Sequence, residues 1–310
     1  PAARLADWLK LQGQLKQGVS RVNSITDIAL ASVDSSLSQA GRLLHITTPQ
    51  GQQLYALRAH AQERLGRVPR YTVDVINQST AFDPEQLIGQ AVQLSIKLDD
   101  GSLSPRHGWI ESVRYLGSDG AFEDWQLVFA PWFSLLEHRM DCRIWQEVSL
   151  PDIFAQVFQH YSQARDAYRF ELSQEYPLLS YVTQFNESDA NFVQRWCEQE
   201  GLFWYVEHEV DRHCIVFTDN NLHLPTLDPA TLRFHTQHAA DRLDSVTQWS
   251  PGARLLNGVV QSSSNDYFSH ARAQFTQVRA LPAASAPPDL QRYQYRGQYA
   301  WQNHDRGNWL

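Results

Sequence analysis

Residues 186 to 209 carry a helix start, a helix stop and a strand in immediate succession, and this run constrains the fold more than any other. Ser188 stands where an N-cap is needed, its hydroxyl able to accept from an orphan amide of the first turn. Asp189 complements the positive end of the helix dipole, and Gly201 suits the left-handed conformation that ends a helix. Phe192, Val193, Trp196 and Cys197 fall at i, i+1, i+4 and i+5, which is one buried face; Gln194, Arg195, Glu198 and Gln199 occupy the other. The aromatic strand Leu202 to Val206 follows without a linker.

Around this helix the patterning is mostly period two. Leu43 to Thr48 and Leu54 to Leu57 flank Pro49-Gln50-Gly51 and read as a hairpin. Tyr71 to Val75 alternates, as does Val92 to Leu98, which ends in the turn signal Asp99-Asp100-Gly101. Trp109 to Tyr115, the turn Asp119-Gly120 and Trp125 to Phe129 complete an antiparallel meander that curls into a barrel. Pro151, whose fixed φ suits a first turn, precedes Ile153, Phe154, Val157, Phe158 and Tyr161 at helical spacing. Arg169 to Leu172 reads as a strand, and Cys214 to Phe217 pairs with Leu202 to Val206 across a polar turn. Val259-Val260, Phe275 to Val278 and Tyr293 to Tyr295 are strand-like, whereas the prolines of Leu281 to Pro288 make that segment a loop. Near the N-terminus Leu5, Trp8, Leu9, Leu11 and Leu15 fit one helical stripe. The fold class is therefore mainly β with α insertions.

Composition removes several functions. The chain has 310 residues, enough for two or three domains, and a formal net charge of −8 from 26 basic and 34 acidic residues. No basic run offsets that charge, so phosphate backbones are repelled and a nucleic-acid partner is not expected. No stretch approaches the roughly 20 apolar residues of a membrane helix, and no basic-then-apolar leader is visible at the N-terminus. Cys142, Cys197 and Cys214 form no C-x-x-C pair, and their odd number argues against a closed disulfide framework. Each sits among apolar residues and reads as a small buried hydrophobe in a reducing compartment.

Candidate chemistry is sparse. His208-Glu209-Val210-Asp211-Arg212-His213 invites comparison with H-E-x-x-H, but the spacing is i, i+5 and the segment reads as a solvated hairpin turn, so zinc is not expected. His235 and His238 lie in a short polar segment with no third ligand. Glu198 and Glu200 point to different sides of their helix, Glu187 and Asp189 have a capping explanation, and neither pair suits a glycosidase. Trp204, Trp249, Trp301 and Trp309 would make a sugar-stacking platform if exposed; burial in a core or oligomer interface is the better reading. No G-x-S-x-G, G-x-G-x-x-G or Walker motif occurs. Catalytic, cofactor and metal residues are therefore assigned as none, and the chain reads as a non-enzyme.

The helix-strand run also carries a resemblance. Gln184-Phe185-Asn186-Glu187-Ser188-Asp189, Phe192-Val193-Gln194-Arg195, Glu198-Gln199-Glu200-Gly201 and Val206-Glu207-His208 resemble the signature of the VgrG family, the spike-base proteins of bacterial type VI secretion. Arg106-His107-Gly108-Trp109-Ile110, Pro131-Trp132-Phe133-Ser134-Leu135-Leu136 and Cys142-Arg143-Ile144-Trp145-Gln146 are similar to further family motifs in the same order. Asp219, Val246, Trp249, Asn265-Asp266-Tyr267 and Gly297-Gln298-Tyr299 resemble weaker landmarks. Residues 1 to 41 match nothing in the family, Arg64 to Pro69 replaces its usual loop, and Arg296 replaces a usual Pro.

The resemblance implies two tube-type antiparallel β-barrels per chain with intervening helices. Its domains would be an N-terminal extension over 1–42, partly helical or disordered, a first barrel over 43–135, a mixed α/β region over 136–220, and a second β domain over 221–310 completed by earlier strands. It also implies a homotrimer whose six barrels dock on the hexameric tube protein Hcp, with baseplate components, effectors or adaptors as further partners and no cofactor. The protein would wait in the bacterial cytoplasm and leave without a signal peptide. The contractile phage tail hub shares that fold and is the alternative. In the family this base continues into an oligonucleotide-fold barrel and a β-helical needle.

Overall fold

The computed structural model describes residues 41–49, 53–78, 82–98 and 100–226, and beyond them 231, 233–234, 245–246, 248–252, 255, 257–265, 274–279 and 290–298. The Leu5 to Leu15 stripe, His235, His238, the 281–288 loop, Asp266-Tyr267, Tyr299, Trp301 and Trp309 lie outside these residues.

In chain order the strands and helices begin with β1 (Leu44–Thr47), β2 (Leu54–Arg64), β3 (Arg67–Asn77), β4 (Ala91–Lys97), β5 (Leu103–Ser118) and β6 (Glu123–Ala130). There follow β7 (Met140–Trp145), β8 (Val148–Ser149), α1 (Leu150–Phe158), β9 (Tyr168–Glu171), β10 (Leu178–Leu179), β11 (Val182–Ser188) and α2 (Asp189–Glu200). The last are β12 (Phe203–Glu209), β13 (Arg212–Thr218), β14 (Arg233–Phe234), β15 (Ser245–Val246), β16 (Val259–Asn265), β17 (Gln274–Arg279) and β18 (Gln291–Gln298). They divide into two compact units, one from residues 1–138, 161–170 and 204–217, the other from 139–160, 171–203 and 218–310.

The first unit is built on a six-stranded sheet in the order β1-β4-β5-β6-β3-β2, antiparallel throughout. Its edge strands β1 and β2 approach one another, so the sheet curls toward closure. The hairpin expected between Leu43–Thr48 and Leu54–Leu57 does not form as a ladder: β1 takes β4 as its partner, Ile46 opposite Leu94, and β2 pairs with β3. Burial selects this pairing, because Ile46, Leu94, Val73, Val75, Leu127 and Phe129 then share one buried interior. In Arg64 to Pro69, where the family pattern is lost, Leu65 and Gly66, at φ 63°, make a tight turn between the end of β2 and the start of β3. A second sheet, β12-β13-β9, completes this unit. Its Trp204 ring packs 4.5 Å from Phe133, and Trp204 is only 1% exposed, in line with the core burial preferred for it over an exposed sugar platform.

In the second unit α1 and α2 follow their caps. Ser149 Oγ accepts from the Asp152 N–H with Pro151 in the first turn, and Ile153, Phe154, Val157 and Phe158 are buried; Tyr161 lies past the helix end. Ser188 Oγ accepts from the Asn191 N–H, and the predicted face of Phe192, Val193, Trp196 and Cys197 is buried. Trp145 stacks on Phe192 at 5.1 Å. Farther on, β16 pairs antiparallel with β17 but parallel with β18, which an all-antiparallel reading does not anticipate.

Gly201 ends α2 at φ 75°, ψ 15°, and the Leu202 N–H reaches back to the Cys197 carbonyl at 2.8 Å. A β-branched side chain clashes with its own backbone there. Gly201→Val is expected to destabilise the protein by about 1 to 2 kcal/mol, read as a lowered urea midpoint. An unchanged midpoint would mean that the helix terminates by another device.

Candidate functional site

Within the second unit the signature residues hold the start of α2. Asp189, fully buried, does more than complement the dipole: its carboxylate accepts from Arg139 Nη1 at 2.8 Å and from Gln184 Nε2 at 2.8 Å. Gln184 also donates to the Glu187 carbonyl, and the Asp189 N–H donates to the Arg139 carbonyl at 3.0 Å. Glu187 is held by Arg195 about two turns into the helix. The pattern Gln184, Glu187, Ser188, Asp189 is thus one polar clamp joining β11, α2 and the residue before β7. A buried carboxylate tolerates its position only when paired and hydrogen-bonded.

The same β-strands present an apolar outer face. In the β7–β11 ladder Ile144 lies opposite Thr183 and Phe185 opposite Cys142, with Met140 two residues before Cys142. Met140, Ile144 and Phe185 are 61%, 59% and 76% exposed, while Trp145 and Val182 on the opposite face are buried. Cys142 belongs to this outward set and is exposed, against the expectation of burial, because strand alternation puts it on the solvent side. Cys197 is buried as expected, and Cys214 is intermediate.

In the first unit three histidines far apart in sequence converge. The His107 N–H donates to His208 Nδ1 at 3.1 Å, the Nδ1 atoms of His107 and His213 lie 2.8 Å apart, and the Trp132 N–H donates to His213 Nε2 at 2.9 Å. His208 Nε2 is 2.9 Å from the Tyr71 hydroxyl, which donates to Glu63 Oε1 at 2.8 Å; Arg106 Nε also donates to that oxygen. The expected solvated turn is confined to Val210 and Asp211. His208 and His213 point inward, His213 being 5% exposed, because a two-residue turn puts both on the same face of the hairpin.

Burial sets the protonation of this cluster. It drives His213 down to about 3, with His107 and His208 adding to the shift, and His208 down to about 4, with the Arg106 charge assisting and Glu63 opposing. His107 is lowered by burial against the pull of Asp211. Burial raises the Glu63 carboxyl, but hydrogen bonds from Tyr71 and Arg106 outweigh it and leave it below the usual range. Tyr71 is pushed up by burial and by Glu63. An open cleft of about 390 Å³ reaches the outer end of the network, lined by Glu63, Arg64, Tyr71, Arg106, Tyr205 and His208.

Among the described residues no group of three or more His, Cys, Asp or Glu side chains is arranged to hold a metal ion. The nitrogens of the cluster are turned toward one another and toward backbone amides, which is the geometry of a clamp. Trp249 is 75% exposed while Trp204 is buried, so those two make no common platform. No helix among the described residues is long and apolar enough to cross a membrane. Sequence reasoning missed the role of His107; its place beside a glycine in a β-strand was the signal, since glycine in a strand marks close backbone approach.

The profile of the phage tail baseplate hub (GPD) family matches residues 62–310. Among curated proteins, the type VI secretion spike protein VgrG1b of Pseudomonas aeruginosa is 31% identical over 270 residues, covering 85% of this chain and 36% of its own length. VgrG1a of the same organism is 30% identical over 269 residues, covering 84% of this chain and 41% of its own length. The chain thus spans well under half the length of these relatives. Of solved structures, a tail protein from Neisseria meningitidis superposes with a TM-score of 0.54 at 12% identity, covering 86% of this chain and 73% of the other. An E. coli type VI secretion component, described as similar to bacteriophage T4 tail proteins, superposes at 0.52 with 23% identity, covering 57% and 50%. Fold and sequence agree: this chain belongs to the phage tail baseplate hub family, and it is similar to the VgrG spike proteins of type VI secretion.

Proposed function

We propose that the chain is the structural, non-enzymatic base of a type VI secretion spike, a homotrimer that docks on the hexameric Hcp tube and takes part in effector delivery. The observation that carries this reading is the hub-family match over residues 62–310. The outer face of β7–β11, with Met140, Ile144 and Phe185 uncovered, supports self-association, since apolar surface of this kind on a soluble protein marks an interface. A chain with two similar barrels gives six faces in a trimer, the number a six-fold partner requires. In this reading the first barrel occupies 43–135, the second β domain lies in 221–310 and is completed by earlier strands, and the protein is exported. Baseplate components and effectors or adaptors would be its other partners.

A trimer carries 3 × −8 = −24 charges, so apolar burial has to exceed like-charge repulsion. Light scattering on the full reading frame is expected to show a trimer that persists or strengthens from low to moderate salt, as screening shortens the repulsion to ~8 Å. The double variant Ile144→Asp, Phe185→Asp is expected to shift it toward monomer. A parent protein that is monomeric at micromolar concentration, or that dissociates on adding moderate salt, overturns the reading. The tail protein likeness across most of the chain favours one second reading, a contractile phage tail hub. Binding to a phage tail tube protein in preference to Hcp would select it.

A further inference from the structure

We propose that His107, His208 and His213 form an acid-released latch, which holds the β12–β13 hairpin against β3 and β5 only while all three rings are neutral. The proposal goes beyond the spike reading and does not depend on it.

The hydrogen bonds assign every proton in the cluster. His208 Nδ1 accepts the His107 N–H, so its proton is on Nε2 and is donated to the Tyr71 hydroxyl, which in turn donates to Glu63. His213 Nε2 accepts the Trp132 N–H, so its proton is on Nδ1 and is donated to His107 Nδ1. The remaining His107 proton is therefore on Nε2. The lone pair of each ring is already occupied by an N–H. A second proton on His208 or His213 would face a backbone N–H at 3.1 or 2.9 Å, and one on His107 would face the His213 N–H at 2.8 Å. No ring can become imidazolium without expelling a partner.

Each of these bonds joins the hairpin to another element of the same unit: β5 through His107, β3 through Tyr71, and the segment after β6 through Trp132. Charged groups facing the cluster are Glu63 from β2, Arg106 from β5 and Asp211 from the turn. Glu63 is engaged by Tyr71 and Arg106 and gives little relief to a charged His208. His208 lines the open cleft, so a proton reaches it first. Once the hairpin lifts, His213 and His107 become hydrated and take up theirs.

The direction follows from linkage. All three histidines are depressed in the closed state relative to an open, hydrated one, so the open state binds more protons below the ordinary histidine value. The latch is at full strength above pH ~6.5 and weakens as pH falls toward about 4, where His208 titrates in place. The opening constant rises up to about tenfold per pH unit for each histidine, and about a thousandfold for three.

Hydrogen–deuterium exchange on the full chain, corrected for intrinsic rates, tests this between pH 7 and pH 4.5. Amides of 204–217 and of 106–109 are expected to lose protection steeply, while the β3–β6 ladder keeps its own. Unchanged hairpin protection, or loss of all amides together, overturns the latch. His213→Gln is expected to reduce the steepness by about one proton; equal steepness overturns it too. If that variant does not fold, imidazole nitrogen shifts of the unaltered protein decide. Neutral rings at pH 6 with protons on Nε2 of His107 and His208 and on Nδ1 of His213 support the latch, and an imidazolium or another tautomer at any of the three overturns it.

Discussion

Gly108→Val is expected to cost about 3 kcal/mol or more and to leave little folded protein. Gly108 has no unusual φ; the demand on it is space. A Cβ at this position would lie 2.5 Å from the Ala130 carbonyl oxygen, 2.8 Å from its carbon and 2.8 Å from Phe129 Cδ2. The first two are main-chain atoms of β6, hydrogen-bonded across the ladder to β5, where Trp109 opposes Ala130 and Ile110 opposes Phe129. A flexible side chain would move aside, but here the strand itself must shift. Overpacking a well-filled interior costs typically 1–3 kcal/mol, and backbone displacement adds to that. The same shift disturbs the neighbouring His107, whose N–H and ring hold the hairpin. Even Gly108→Ala should lower the urea midpoint clearly, since the clash begins at Cβ. A midpoint equal to the parent for the alanine variant would show that β5 and β6 are farther apart than described.

Arg139→Met is expected to cost about 3 to 5 kcal/mol, the range for leaving a buried charge without its partner. Asp189 is fully buried, and Arg139 Nη1 supplies the positive charge at 2.8 Å. The stem of methionine replaces much of the apolar contact of arginine, so the variant isolates the charge. Gln184 still donates, but an uncharged amide donor does not neutralise a carboxylate. Adding Asp189→Asn removes the buried charge, and the double variant is expected to be less destabilised than Arg139→Met alone, a coupling that a double-mutant cycle reads directly. A thermal melt of Arg139→Met matching the parent would show that Asp189 is satisfied by other groups, and the explanation of the Gln184 to Asp189 signature as a charge clamp would fall with it.

The reach of local information in this chain is visible in α2. Ser188, Gly201 and the spacing of Phe192, Val193, Trp196 and Cys197 specify where the helix starts, stops and faces, because caps and periodicity act within a few residues. The meander strands β3 to β6 were likewise legible, through alternation and Asp-Gly turns. Family membership was readable from the Gln184 to His208 run, whose order no local propensity explains.

Other features were decided only by the tertiary structure. β1 had the sequence of a hairpin partner for β2, but the interior shared by Ile46 and Leu94 outweighed proximity along the chain. Cys142 looked apolar and buried, and one step of strand alternation set it outside beside Phe185. His107 lies about a hundred residues from His208 and His213, so nothing in their spacing announced a cluster. What the sequence determined by itself was each element whose cause lies within one turn or one strand. Which strands meet, and which buried nitrogens face each other, depended on contacts between distant segments, whose energies exist only once the sheet has formed.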